Sequence, residues 1–369
     1  MTSAYLLTDD SKNEGINIGK IAQSKPMISV VVLNYNGRDV LERCLDSVLK
    51  NNYEDFEVIV VDNASADGSQ EIAKRFAVRD PRVRLVQNSR NWGFVVGNNI
   101  GAKAARGKYI ALFNNDTEVS QNTLREAVKY MEADQQIGLL EGKILLHGKW
   151  VTYPGKRINP IVGGSHRDAF LEEDKGQFDY VHEIFSPGGV APIVRKSLID
   201  EIGLFDPVIW WSNDVEDLSW RIHLRGYKVL FVPSIVINHL ARLGAAWYPR
   251  EMLMRLSFHA TKNGLYVVLK NCSLRNLMKY VPVIIVMRMA EAVYLFLGNK
   301  PDLFIIKMRA HFWIIKNLRH IWAQRVRVQR YIRRMPDKYV FRLTSRPDFA
   351  TVFMMYNNLL RVIKFRKGC

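Results

Sequence analysis

Apolar, β-branched runs recur along the first third of the chain, and apolar positions at helical spacing lie between them. Ile28–Leu33 (ISVVVL) and Val58–Val61 (VIVV) predict buried strands. Between these two runs, Arg38–Lys50 sets Val40, Leu41, Cys44, Leu45, Val48 and Leu49 at intervals that predict an amphipathic helix. Ser69–Val78 predicts a second helix, Val83–Val86 a strand, Asn98–Ala105 a helix and Tyr109–Phe113 a strand. Strands alternating with helices in this way imply an α/β unit whose mainly parallel sheet is covered on both faces. Ligands of such sheets bind beyond the carboxyl ends of the strands, so the loops after Leu33, Val61 and Phe113 are expected to converge. A second region, roughly Gly138–Ala246, is richer in Gly, Pro and aromatic residues and reads as the other half of the same domain. From about Arg250 the pattern predicts helices with apolar stretches interrupted by basic residues.

The loops carry the candidate chemistry. The first strand runs into Asn34-Tyr35-Asn36-Gly37 and the second into Asp62-Asn63-Ala64-Ser65, with Asp67 or Ser69 suited to cap the helix that follows. A cap explains Asp67 and Ser69. It does not explain a carboxylate and an amide directly at a strand end, where they can bond a base edge or a ribose hydroxyl. The run Asn91–Gly101 leads to the strand that ends in Asn114-Asn115-Asp116-Thr117. An Asn- and Asp-rich turn accounts for Asn115 and Thr117. A lone carboxylate there can also serve Mg²⁺ or Mn²⁺, which take one or two carboxylates and complete their shells with water and substrate phosphate. Further on, Asp214, Glu216 and Asp217 fall within four residues, beside Trp210 and Trp211. Acids suit a helix start, but acids beside tryptophans also suit a sugar site.

Charge separates the chain into two parts. The net charge is +17, yet residues 299–369 hold seventeen Lys/Arg against three Asp/Glu, a local +14. The apolar segment 281–297 is interrupted by Arg288 and Glu291 and is short for a membrane span, and its neighbouring apolar stretches have basic flanks. That combination predicts helices lying on an anionic membrane, with one inserted helix as the alternative. The tail arginines Arg325, Arg327, Arg330, Arg333 and Arg334 would give phosphate affinity, but no nucleic-acid motif accompanies them. Three cysteines at unrelated spacings make neither a disulfide framework nor a metal cluster, and residues 1–26 read as a flexible leader without a secretory pattern.

Taken in order, these motifs resemble family 2 glycosyltransferases, the inverting GT-A class, most nearly its rhamnosyltransferase-like branch. They are Val30–Gly37, Val61–Ser65, Asn91–Gly101, Leu112–Thr117, Ser186-Pro187-Gly188-Gly189 with Arg195, Gly203-Leu204-Phe205-Asp206, and Asp217-Leu218-Ser219-Trp220-Arg221 with Gly226-Tyr227. The resemblance implies a GT-A domain over 27–248, followed by a basic, membrane-associated helical region over 249–369. It implies a nucleotide-sugar donor held by Asn34, Asn36, Asp62, Asn63, Asn91, Asn114, Gly188 and Gly189. A divalent cation, Mg²⁺ or Mn²⁺, is expected on Asp116, with His239 as second ligand. In that family the first acid of an acidic pair corresponds to Asp214 and the second, often the base, to Val215. Asp214 is therefore the expected base and Glu216 the alternative, with Asp217 and Arg221 bracing the helix. Trp210 and Trp211 would line the sugar pocket. The implied acceptor is a glycan or a lipid-linked molecule at the cytoplasmic face of the cell membrane, with no nucleic acid. The displaced acid also admits a catalytically inactive scaffold.

Overall fold

The computed structural model describes residues 25–152, 154–159, 164–167, 170–240, 250–298 and 301–344. The expected leader, apart from Lys25 and Pro26, and the tail from 345 onward lie outside the described residues.

The strands form where β-branched runs predict them. β1 (Ile28–Asn34), β2 (Phe56–Asp62), β3 (Val83–Gln87) and β4 (Tyr109–Asn114) are parallel, in the spatial order β3–β2–β1–β4. Helices α1 (Leu41–Leu49), α2 (Ser69–Arg79) and α3 (Gly93–Ala104) make the crossovers. Alternate strand residues face opposite ways. Val30, Val32, Val58 and Val60 therefore join the core under α1 and α2, whereas Val31, Ile59 and Val61 join Val95 and Ala102 of α3. Helix α3 starts five residues ahead of the expected Asn98. Asn91 Oδ1 accepts the Gly93 N–H at 2.8 Å, satisfying a first-turn donor and fixing the earlier start.

The chain continues through β5 (Thr117–Val119), α4 (Thr123–Ala133), β6 (Ile137–Leu146), β7 (Trp150–Thr152), β8 (Lys156–Asn159) and β9 (Gly164–Arg167). Then come β10 (Phe170–Glu173), β11 (His182–Glu183), β12 (Ile193–Arg195), α5 (Lys196–Ile202), α6 (Asp214–Arg225) and β13 (Lys228–His239). β12 lies between β4 and β6, antiparallel to both, and extends the parallel centre into a mixed sheet. β13 runs parallel to β6 as far as Val232 opposite Gly142, then resumes at Val236 opposite Lys143. Pro233, Ser234 and Ile235 thus bulge out. A Cβ on Gly142 would stand 2.1 Å from the Ile235 carbonyl oxygen, so only glycine fits beneath the bulge.

The remaining described helices are α7 (Arg250–Asn271), α8 (Leu274–Leu297), α9 (Pro301–Lys316), α10 (Leu318–Arg327) and α11 (Asp337–Phe341), with a π-helical turn at Val328–Ile332. They share a core with the sheet: Tyr266, Val267, Leu277, Ile284 and Ile314 belong to the same buried cluster as α3, α5 and α6. The charges that interrupt α8 neutralise each other, since Glu291 pairs with Arg288 at 2.9 Å and with Lys307 of α9. Met278, Ile285, Met289, Val293 and Phe296 then form an exposed apolar stripe along α8. Among the described residues α8 is the one helix long and apolar enough to cross a membrane, with 17% of that stretch buried.

Candidate active site

Parallel register brings the polar strand ends to one edge. Asn34 pairs with Asp62, and its neighbour Leu33 with Asn114. Asn34 is fully buried and acts as a hub. Its Nδ2 donates to Asp62 Oδ1 at 2.9 Å and lies within 3.1 Å of the Ser65 and Ser69 hydroxyls, while Oδ1 accepts from Asn115 Nδ2 at 2.9 Å. Asp62 also accepts the Ser65 hydroxyl at 2.6 Å and the Ser65 N–H at 3.1 Å. Asn36 stands on the exposed rim in left-handed conformation, its Oδ1 accepting the Ala66 N–H. A Cβ on Gly37 would meet Asn115 Nδ2 at 2.2 Å and Asn34 Oδ1 at 2.5 Å, so a side chain there would displace the Asn34–Asn115 contact. Asn63 is tied to Asn88, Asn91 and the Gly93 carbonyl, which places Asn91 and Asn63 in one layer. Asn114 is half-buried at the end of β4.

Asp116 follows that strand and immediately precedes β5. The antiparallel pairing of β5 with β13 sets Thr117 opposite His239, and His239 Nε2 comes to 3.3 Å from Asp116 Oδ1. Among the described residues no group of three or more His, Cys, Asp or Glu side chains gathers as a metal cage. The pair nevertheless suits a divalent cation that keeps phosphate and water ligands. Adjacent ligands on an octahedral ion with bonds of about 2.1 Å stand about 3 Å apart.

The three acids of α6 have separate fates. Asp217 is fully buried and held by Arg221 at 2.9 Å, as expected, and also by Lys270 at 2.8 Å and Asn271 at 2.9 Å. Glu216 pairs with Lys156 at 3.0 Å. Asp214, at the head of the helix, has no cation at salt-bridge distance among the described residues. Burial first, and then the Glu216 carboxylate, push its carboxyl up to about 6. Val215 is a core residue: it packs under Gly189, whose Cβ would lie 2.7 Å from Val215 Cγ2. Gly189 also needs glycine for its φ of +87°. The next carbonyl, that of Val190, accepts the Asn114 N–H at 3.1 Å, so the head of α6 is tied to the end of β4. Trp210 lies against Gly93, within 5.1 Å of the His259 ring and under the Arg255 guanidinium, and Trp211 is exposed.

Sequence patterns alone missed the supports. Glu141, inside the apolar run of β6, accepts the N–H groups of Gly188, Gly189 and Ala191, and burial raises its carboxyl. Those N–H groups therefore point inward and are taken up by Glu141. Lys156 also donates to the Gly188 carbonyl at 3.1 Å. Glu141 shares β6 with a second buried charge, Lys143, so nothing in the local sequence singles it out as a support.

The chain is similar to known proteins in sequence and in fold. The profile of glycosyl transferase family 2 matches residues 29–200. Glycosyltransferase GlyG of Streptococcus pneumoniae serotype 4 is 37% identical over 115 residues, 30% of this chain and 38% of that protein. Glycosyltransferase AglE of Haloferax volcanii is 25% identical over 257 residues, 68% of this chain and 77% of that one. The chain spans 38%, 32% and 42% of the lengths of three curated relatives it matches. Among solved structures, GalNAc-T7 with UDP, GalNAc and Mn²⁺ is similar at a TM-score of 0.55 and 20% identity, over 67% of this chain and 48% of that one. That likeness shows the GT-A fold.

Proposed function

Residues 29–200 belong to glycosyl transferase family 2, and from that premise we propose that the chain is an inverting glycosyltransferase. It moves one hexosyl or rhamnosyl unit from a nucleotide sugar to a glycan or lipid-linked acceptor in surface polysaccharide, glycolipid or glycoprotein-glycan assembly. One juxtaposition carries the reading: the Asp116–His239 pair lies just beyond the end of β4, and the buried Asp214, with no cation at salt-bridge distance among the described residues, is linked to that same strand end through Val215, Gly189 and Val190.

In this reading Asp62, Asn63 and Asn36 hold the nucleoside, and Asn34 and Asn91 keep those side chains in place. Asn114, Gly188 and Gly189 lie along the diphosphate and sugar, and Trp210 and Trp211 offer aromatic faces to the sugar rings. Asp116 and His239 hold Mg²⁺ or Mn²⁺, which supplies positive charge for the departing diphosphate. Asp214 takes the proton of the acceptor hydroxyl as that oxygen attacks the anomeric carbon. The bond from that carbon to the donor phosphate oxygen breaks, its electron pair leaves on the nucleoside diphosphate, and configuration inverts. Glu216 is the second candidate base, and its ion pair with Lys156 makes it the weaker one.

The same reading seats the helical region on the cytoplasmic face of the cell membrane. The exposed stripe of α8 and the +14 charge of residues 299–369 favour an interfacial seat on anionic lipid, with insertion of α8 as the alternative. The test is nucleoside diphosphate release across a panel of nucleotide sugars with membrane lipid extract, Mn²⁺ or Mg²⁺, and EDTA. Metal-dependent turnover of one donor, lost in Asp116→Ala, is expected. If no donor is either turned over or bound, the proposal is overturned.

A further inference from the structure

Helix α7 approaches the candidate base from behind. Asn263, fully buried on α7, donates from Nδ2 to the carbonyl of Trp211 at 2.7 Å and to that of Ser212 at 2.9 Å. Two carbonyl oxygens at those distances demand the NH₂ group, so the orientation of this amide follows from its partners. Its own Oδ1 is buried and finds no partner among the described residues. A residue present only to fill space would not need to bury an unmet acceptor in order to aim two donors.

The carbonyls it binds belong to an unusual stretch. Between Trp211 and Asp214 the backbone passes through two consecutive left-handed residues, Ser212 and Asn213, each with φ of 66°. Neither is glycine, and such conformations persist where their surroundings over-determine them. The Asn213 carbonyl accepts the Asp217 N–H at 3.0 Å, so this pair sets both the start and the aim of α6. Other turns of α7 hold neighbouring points. Lys262 donates to the Val208 carbonyl at 2.7 Å, Tyr266 to Asp206 at 2.6 Å, and Lys270 to Asp206 at 2.6 Å and Asp217 at 2.8 Å. Among the described residues, Asn263 alone has its side chain on the carbonyls of Trp211 and Ser212.

We infer that Asn263 is a positioning residue for the candidate base, holding the left-handed Ser212–Asn213 pair that presents Asp214 at the head of α6. The inference rests on the glycosyl-transfer reading and extends it, because the geometry of the base then depends on how α7 is seated. Misplacing a catalytic group by about 1 Å costs up to about 100-fold in rate.

The experiment is a double-mutant cycle on the full chain, with Asn263→Ala, Ser212→Gly and both together, reading kcat, donor Kd and amide hydrogen exchange at residues 212–217. Asn263→Ala is expected to lower kcat about 10- to 100-fold while donor Kd stays unchanged. In the Ser212→Gly background, where a left-handed φ carries no steric penalty, the same substitution is expected to cost clearly less. An unchanged kcat, an equal loss in both backgrounds, or a Kd that worsens in step with kcat would overturn the inference. Should Asn263→Ala fail to fold, Asn263→Ser, which keeps one donor, is read in the same way. If the parent turns over no donor, the functional reading fails. Exchange at 212–217 then still decides whether Asn263 holds the segment: faster exchange in Asn263→Ser supports it, and unchanged exchange refutes it.

Discussion

Replacing Asp214 by Asn keeps the shape of the side chain and removes its charge, and two opposite effects should follow. Asp214 is 9% exposed, and burial, then Glu216, raise its carboxyl from 3.8 to about 6 against the opposing pull of Lys156. A base must be ionised, so the competent fraction is about nine-tenths at pH 7, half at pH 6 and a tenth at pH 5. The parent's kcat should fall about tenfold per pH unit below 6, and Asp214→Asn should lose about 10²- to 10⁴-fold in kcat with donor affinity retained. Stability moves the other way. A raised carboxyl favours the folded state while it is protonated, which holds fully below 3.8 and is lost as pH rises through 6. At pH 8 the ionised group therefore costs the fold about 3 kcal/mol, from roughly two pH units at 1.36 kcal/mol each. Asp214→Asn should be more stable than the parent at pH 8 by up to that amount, and the gain should shrink toward zero near pH 4. Urea unfolding at pH 8 and pH 5, with nucleoside diphosphate release across the same range, measures both. An activity loss below tenfold, an acid limb near 4, or a stability gain that does not depend on pH would refute the reasoning.

Three other outcomes are expected. Asp116→Ala should abolish metal-dependent turnover, whereas His239→Ala should raise the Mn²⁺ concentration for half-maximal activity by about tenfold or more, read by metal titration. Gly189→Ala forces a Cβ to 2.7 Å from Val215 at a φ of +87° and should cost about 1–3 kcal/mol in urea unfolding. Trimming Val215 to Ala should recover the contact part of that loss and leave the backbone part. Placing Asp at both Ile285 and Met289 should weaken co-sedimentation with anionic vesicles by at least about tenfold and leave turnover of a soluble acceptor unchanged.

How much of this could be read from residue order depends on the range of each interaction. Strands β1 to β4 were legible because β-branched runs need only their own neighbours to declare themselves, and the ends Asn34, Asp62 and Asn114 follow from parallel pairing. The pairing of Asp217 with Arg221 was legible for the same reason, being one helical turn apart. The start of α3 was not, because Asn91 reads equally well as a loop residue until its side chain is seen on the Gly93 N–H. Glu141, Lys156 and Asn263 were invisible as supports, since their partners lie 32 to 60 residues away along the chain. Val215 is the instructive case. At the family's acidic position it resembled a missing base, yet in space it is the floor on which Gly189 rests.

The bulge at Pro233–Ile235 decides which way the last residues of β13 face. Strand side chains alternate with a period of two, so one residue more or fewer between the bulge and His239, with the bulge still three residues long, would slip the pairing with β5 and β6 by one and turn His239 to the opposite side of the sheet. The strand before the bulge, anchored on β6, would be untouched. A lineage carrying this fold could therefore gain or lose the imidazole at its candidate metal position by a single-codon insertion or deletion beyond the bulge, with no substitution at any candidate site residue. Comparing the length of β13 beyond the bulge with metal requirement among related proteins would then be more informative than asking whether a histidine is present.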